Sequence, residues 1–81
     1  MRIKIEGYGY VPPELSPHKQ LLHANLHLRD KAKDMSCVNL GRLSKIHWKK
    51  IEQWMDNRRV LMTDELRRVG RVLDIKIKID E

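Results

Sequence analysis

Isoleucine alternates with charged residues near both ends of the chain. Ile3 and Ile5 stand between Arg2, Lys4 and Glu6, while Ile75, Ile77 and Ile79 stand between Asp74, Lys76, Lys78 and Asp80. A period of two sends the apolar side chains of a strand to one face and the polar ones to the other. Half-buried strands are therefore expected over Arg2 to Glu6 and Asp74 to Asp80, able to pair with each other. Gly7, Gly9, Pro12 and Pro13, interleaved with Tyr8 and Tyr10, mark a loop or an irregular strand end.

The pattern changes to a helical period in the second half. From Ser44, Trp48, Ile51 and Met55 form an apolar stripe with Trp54 at its flank, which predicts a helix over Ser44 to Asn57 with Ser44 as cap. A break at Asn57 to Met62 precedes Thr63, a cap candidate followed by Asp64 and Glu65, whose charge complements the positive end of a helix dipole. Leu66, Val69 and Leu73 continue that helix to Leu73. Gly70 within it costs roughly 1 kcal/mol relative to Ala and suits a close approach. Between Ser16 and Met35 two templates fit. Ser16 with Pro17 resembles a helix start, and Leu21, Ala24, Leu28, Ala32 and Met35 share a helical stripe. Equally, Leu22, Ala24, Leu26 and Leu28 alternate with His23, Asn25, His27 and Arg29 as a strand would. Ser36 to Leu40 is expected as a short strand ended by Gly41.

Eighty-one residues make one domain, since a chain of this size buries only about 60–65% of its unfolded surface. Charged residues are 35% of the chain and Phe is absent, so Trp48, Trp54, Tyr8 and Tyr10 carry the aromatic bulk. The lone Cys37 cannot form an internal disulfide and is expected as a small buried hydrophobe. No apolar run approaches the roughly 18 residues of a membrane span, and the amino terminus has a strand pattern in place of a signal peptide. A cytoplasmic protein with no membrane partner is the expectation.

Charge sharpens the functional reading. The formal net charge is +6, and most of the surplus lies between Leu40 and Arg71, where Arg42, Lys45, Lys49, Lys50, Arg58, Arg59, Arg67, Arg68 and Arg71 outnumber Glu52, Asp56, Asp64 and Glu65. A concentrated positive surface attracts polyphosphate by Coulomb attraction and counterion release; a merely solvated basic face is the plainer alternative. The sequence has no phosphate loop, dinucleotide fingerprint, CxxC pair or nucleophile elbow. His23 and His27 lack the glutamate and third ligand of a zinc site, so neither metal nor cofactor is expected. Metal-free RNA cleavage requires a base, an acid and a cation: His23, His27 and His47 are the candidate proton carriers, with Arg29, Arg42 or Lys45 as the cation. Alternatively, Ser44 to Leu73 is a candidate helix-turn-helix with Arg67, Arg68 and Arg71 on the recognition helix, although its break is long for such a turn.

Two stretches, Val38-Asn39-Leu40-Gly41-Arg42-Leu43-Ser44-Lys45-Ile46 and Met62-Thr63-Asp64-Glu65-Leu66-Arg67-Arg68-Val69-Gly70-Arg71-Val72-Leu73, resemble the C-terminal half of the MazF/PemK-type ribonuclease toxins. There a strand runs into a basic segment, and a final helix opens on a Ser/Thr-Asp-Glu cap. The resemblance covers about half the chain, and the N-terminal catalytic residues of that family have no counterpart here. It implies a small sheet packed by helices, a homodimer, RNA as ligand and a small acidic inhibitor protein as partner. It also favours a strand over His23 to Arg29.

The expected fold is therefore α+β, a small antiparallel or mixed sheet with two helices of the C-terminal half packed on it. The favoured function is nucleic-acid binding, RNA ahead of DNA, through Arg29, Arg42, Lys45, Lys49, Arg58, Arg59, Arg67, Arg68 and Arg71, extending to toxin-type metal-independent endoribonuclease activity. The alternatives are a non-catalytic DNA-binding regulator and a small inhibitor docking on another protein through the tyrosine loop.

Overall fold

The computed structural model describes residues 2–7, 9–10 and 14–80. β1 (Arg2–Ile5) lies between β2 (Gly9–Tyr10) and β3 (Ile77–Asp80) and is antiparallel to both. Ile3 stands opposite Ile79 and Ile5 opposite Ile77, so the alternation expected from the sequence lays one apolar face against the helices. The outer face carries Arg2, Lys4, Lys78 and Asp80. Tyr8 and the prolines of the tyrosine loop fall outside the described residues, and of Tyr10 only its pairing opposite Lys4 is described.

Among the described residues, four helices, α1 (Pro17–Ala32), α2 (Cys37–Ser44), α3 (Trp48–Met55) and α4 (Thr63–Val72), lie between β2 and β3. The α+β class with an antiparallel sheet stands, but helix occupies the whole middle of the chain and not its second half alone. Two expected strands are helices. His23 to Arg29 lies inside α1, whose N-cap is Ser16, its Oγ accepting the Lys19 N–H at 3.3 Å, with Pro17 at the first helical position. Ser36 to Leu40 is the head of α2, where Ser36 Oγ accepts the Asn39 N–H at 3.0 Å. The resemblance segment Val38 to Ile46 is consequently helix and turn. Ser44, expected to begin a helix, ends one: it is buried and donates its hydroxyl to the Leu40 carbonyl at 2.6 Å.

The helical choice in α1 is decided by Asn25. As a helix the segment buries Leu21, Ala24, Asn25, Leu28 and Ala32 and leaves Leu22 and Leu26 exposed. Asn25, 1% exposed, satisfies all of its polar atoms. Its Oδ1 accepts the indole N–H of Trp54 at 3.0 Å and the Leu61 N–H at 2.7 Å. Its Nδ2 donates to the Leu21 carbonyl at 2.7 Å and the Leu61 carbonyl at 3.1 Å. A strand would place Asn25 on the face opposite Ala24 and Leu28, where it could not share their burial. Arg29 reinforces the junction, donating Nε to the Trp54 carbonyl at 2.7 Å with its guanidinium 5.8 Å from the Trp54 ring centroid.

α4 follows its local signals closely, whereas α3 begins at Trp48 and not at Ser44. α4 opens with Glu65 accepting the Met62 N–H at 3.2 Å, half of a capping box, one residue before the cap expected at Thr63. Gly70 makes the close approach its position suggests: a Cβ there would lie 2.6 Å from Ile77 Cδ1 and 3.0 Å from the Ile75 carbonyl oxygen. Cys37 is half-buried against the core. No helix among the described residues is long and apolar enough to cross a membrane.

Replacing Asn25 by Leu strands the Trp54 indole N–H and both Leu61 backbone groups in the core, each at about 1–3 kcal/mol. The Asn25→Leu protein should lose about 3 kcal/mol or more in urea unfolding, and a loss below about 0.5 kcal/mol would show that this cluster does not hold the helices together.

Candidate functional site

α2, the three residues Lys45, Ile46 and His47, and α3 run helix, turn, helix, with a turn of the three- or four-residue length found in helix-turn-helix motifs. Its geometry is built from a handful of positions. Gly41 is buried, and a Cβ on it would lie 2.7 Å from the Ile46 carbonyl oxygen and 3.1 Å from both Cα and N of Trp48. Because all three are backbone atoms, only a glycine lets α2 seat this close to the turn. Lys45 takes a left-handed conformation, φ 60° and ψ 35°, and its N–H and that of Ile46 both return to the Gly41 carbonyl. Ile46 is then driven into the core at 5% exposure, beside Leu40, Ile51 and Trp54. His47 caps α3, its Nδ1 accepting the Lys49 N–H at 3.1 Å.

The stretch Ser44 to Leu73, where the sequence offered its candidate motif, instead has α3 and α4 joined by the longer segment 56–62. α4, which carries Arg67, Arg68 and Arg71, is separated from α3 by a long segment and acts as a buttress. Lys50 of α3 reaches Glu65 of α4 at 2.8 Å. Burial pushes the Glu65 carboxyl upward, but Lys50, the Met62 N–H and Arg68 outweigh it and hold the group below its ordinary value. Arg68 also donates to the Lys45 carbonyl at 3.4 Å, tying α4 to the turn.

The outward side of α3 presents His47, Trp48, Lys49, Glu52 and Asp56. Trp48, 40% exposed, stacks on His47 with ring centroids 5.8 Å apart, and Lys49 Nζ lies 5.9 Å from the Trp48 ring centroid. A groove lined by Val38, Gly41, Arg42, Lys45, Ile46, His47 and Trp48 runs along the motif, and a second, lined by Leu43, Ser44, Lys45, Arg68 and Arg71, adjoins it at Lys45. Arg42, Lys45, Arg68 and Arg71 are thus gathered around the turn, with Lys49 on the adjoining helix.

The remaining expected cations are spent elsewhere. Arg29 is held at the C-terminal end of α3, where a cation complements the helix dipole. Arg58 pairs with Asp56 at 2.9 Å, Arg59 donates to the Gln53 amide oxygen at 2.8 Å, and Arg67 reaches back to the Ile79 carbonyl at 3.5 Å. Arg68 pairs with Asp64. Among the described residues, Arg42, Lys45, Lys49 and Arg71, like Arg29, Arg59 and Arg67, have no carboxylate within ion-pairing distance, and Arg42 donates to the Asn39 amide oxygen at 3.0 Å. The histidines are divided: His23 and His27 lie on α1 and His47 at the head of α3. Burial first, and then Lys31, lowers the His27 pKa against a smaller opposing pull from Asp30. No group of three or more His, Cys, Asp or Glu among the described residues is placed to hold a metal ion.

No protein-family model, curated protein or solved structure matches the chain. What the site can do follows from its own geometry. The signal within the sequence that could have located the motif is the set Leu40, Gly41, Ser44, Ile46, Ile51 and Trp54, all buried, with a small residue where the turn folds back.

The turn makes a two-sided prediction. Gly41→Ala should destabilise the protein by about 1–3 kcal/mol as the new methyl meets backbone, whereas Lys45→Gly should stabilise it by about 0.5–1 kcal/mol by relieving the left-handed side chain. Urea midpoints measure both, and an unchanged Gly41→Ala protein would contradict the close approach.

Proposed function

We propose that this protein binds duplex DNA as a non-catalytic regulator, with α3 entering the major groove. The observation that carries this reading is the helix-turn-helix arrangement of α2 and α3, with its tight turn, its exposed α3 face and the cations Arg42, Lys45, Lys49 and Arg71, which have no carboxylate partner among the described residues. In such motifs the N-terminal residues of the second helix contact base edges while the first helix crosses the backbone. Here those residues are Trp48 and Lys49, and the flanking cations on α2, the turn and α4 suit phosphates.

The same geometry moves the preference from RNA to DNA. A B-form major groove about 12 Å wide admits a helix, whereas the deep, narrow major groove of A-form RNA does not. Ribonuclease chemistry needs a base, an acid and a cation at one phosphate, and of the three histidines only His47 lies at this motif, His23 and His27 both standing on α1. A homodimer belongs with the DNA reading, because paired motifs engage half-sites about 34–36 Å apart.

Fluorescence anisotropy with mixed-sequence duplexes in excess EDTA should show tighter binding to DNA than to RNA, with the RNA left intact. The triple variant Arg42→Ala, Lys45→Ala, Arg71→Ala should weaken binding and flatten the plot of log affinity against log salt by about 0.9 for each phosphate no longer neutralised. An unchanged slope, or RNA cleavage that disappears on His47→Ala, would reject this function.

A further inference from the structure

The face that α3 turns outward is not a simple basic surface. At 3.6 residues per turn, Trp48, Glu52, Asp56 and Lys49 fall within an arc of about 100°, and all four are exposed. Glu52 sits inside that arc, one turn beyond Trp48. Ile51 and Trp54 point the opposite way, into the core. The two carboxylates differ in their surroundings. Asp56 is paired with Arg58 at 2.9 Å, whereas Glu52 has no ion-pair partner among the described residues. The other two acids near the motif, Asp64 and Glu65, are likewise paired, with Arg68 and Lys50.

An unpaired carboxylate carried between two rows of phosphates is repelled by both. It weakens binding to every sequence unless a donor in the groove meets it. Cytosine N4 is such a donor. Adenine also offers an amino group, but its N7 acceptor lies beside it, and thymine and guanine present acceptor oxygens that add to the repulsion. We infer that Glu52 is a specificity-determining residue of the proposed DNA interface: its carboxylate accepts a hydrogen bond from a cytosine N4 amino group in the major groove and rejects the other bases at that position. The inference rests on the DNA-binding reading and assigns a base to it.

This division of labour matches the charges around the motif. Arg42, Lys45 and Arg71 lie on the flanks and supply sequence-independent attraction, which positions the protein without reading sequence. Glu52 lies on the reading face and supplies discrimination at the cost of some of that attraction.

The test is selection of duplexes from a random library by the wild-type protein, Glu52→Gln and Glu52→Ala, followed by anisotropy on the selected site and on its single-base variants. Wild type should enrich a motif containing a C·G pair whose replacement costs about tenfold in affinity. Both variants should lose the preference at that one pair, keep it elsewhere, and bind unrelated duplexes more tightly than wild type. A variant that enriches the same motif with the same discrimination overturns the role of Glu52 while leaving DNA binding intact. Enrichment of adenine at the Glu52-dependent position overturns the cytosine assignment. A wild-type protein that enriches no motif and shows no salt-dependent binding overturns the DNA reading, and this inference with it.

Discussion

Asn25 is the polar centre on which the helices are assembled. A buried amide is costly unless every donor and acceptor is met, and here four hydrogen bonds meet it, one from within α1 and three from α3 and the segment before α4. The arrangement demands a single relation between those elements. Sliding α3 by one residue would remove the indole of Trp54 from the amide oxygen, and shifting the 57–62 segment would orphan both backbone groups of Leu61. Apolar packing alone tolerates such slips; a satisfied polar network does not. Arg29 and the Trp54 carbonyl extend the same junction to the surface.

That junction positions the helix-turn-helix. α3 is fixed from behind by Trp54 on Asn25 and by Ile51 in the core, and from the side by Lys50 on Glu65. α2 is fixed against it through the contact of Gly41 with the backbone of the turn. What is left uncovered is a face carrying Trp48, Lys49 and Glu52. The side chains that hold α3 and those it presents are interleaved along eight residues, so the helix can be rigid and still offer a polar surface. The sheet closes the far side of the core with β1 and β3.

The charge-rich segment is less uniformly basic in space than along the chain. Arg58, Arg68 and Lys50 are balanced by carboxylates, Arg67 serves a backbone carbonyl and Arg59 the Gln53 amide, while Arg42, Lys45 and Arg71 lie around the turn.

Local chemistry by itself determined the two strands at the ends of the chain, α4 and the body of α3, though not where α3 begins. Alternating isoleucines at Ile3, Ile5, Ile77 and Ile79, and the Thr63-Asp64-Glu65 start of α4, depend only on neighbours in the sequence, and they were legible there with their pairing. The α+β class and the surplus of charge near the second half followed from the same information. Three features were decided only in the tertiary structure. α1 is a helix because Asn25 finds partners 29 and 36 residues away, a distance at which the period-two and period-3.6 patterns of Leu22 to Leu28 cannot be told apart locally. α2 is a helix although Val38 and Leu40 alternate, because Gly41 is required inside it by the turn that packs on it. The short break lies before α3 and not before α4 because Ile46 is buried where the chain folds back onto Gly41, a choice that depends on where the core lies and not on the residues of the turn alone.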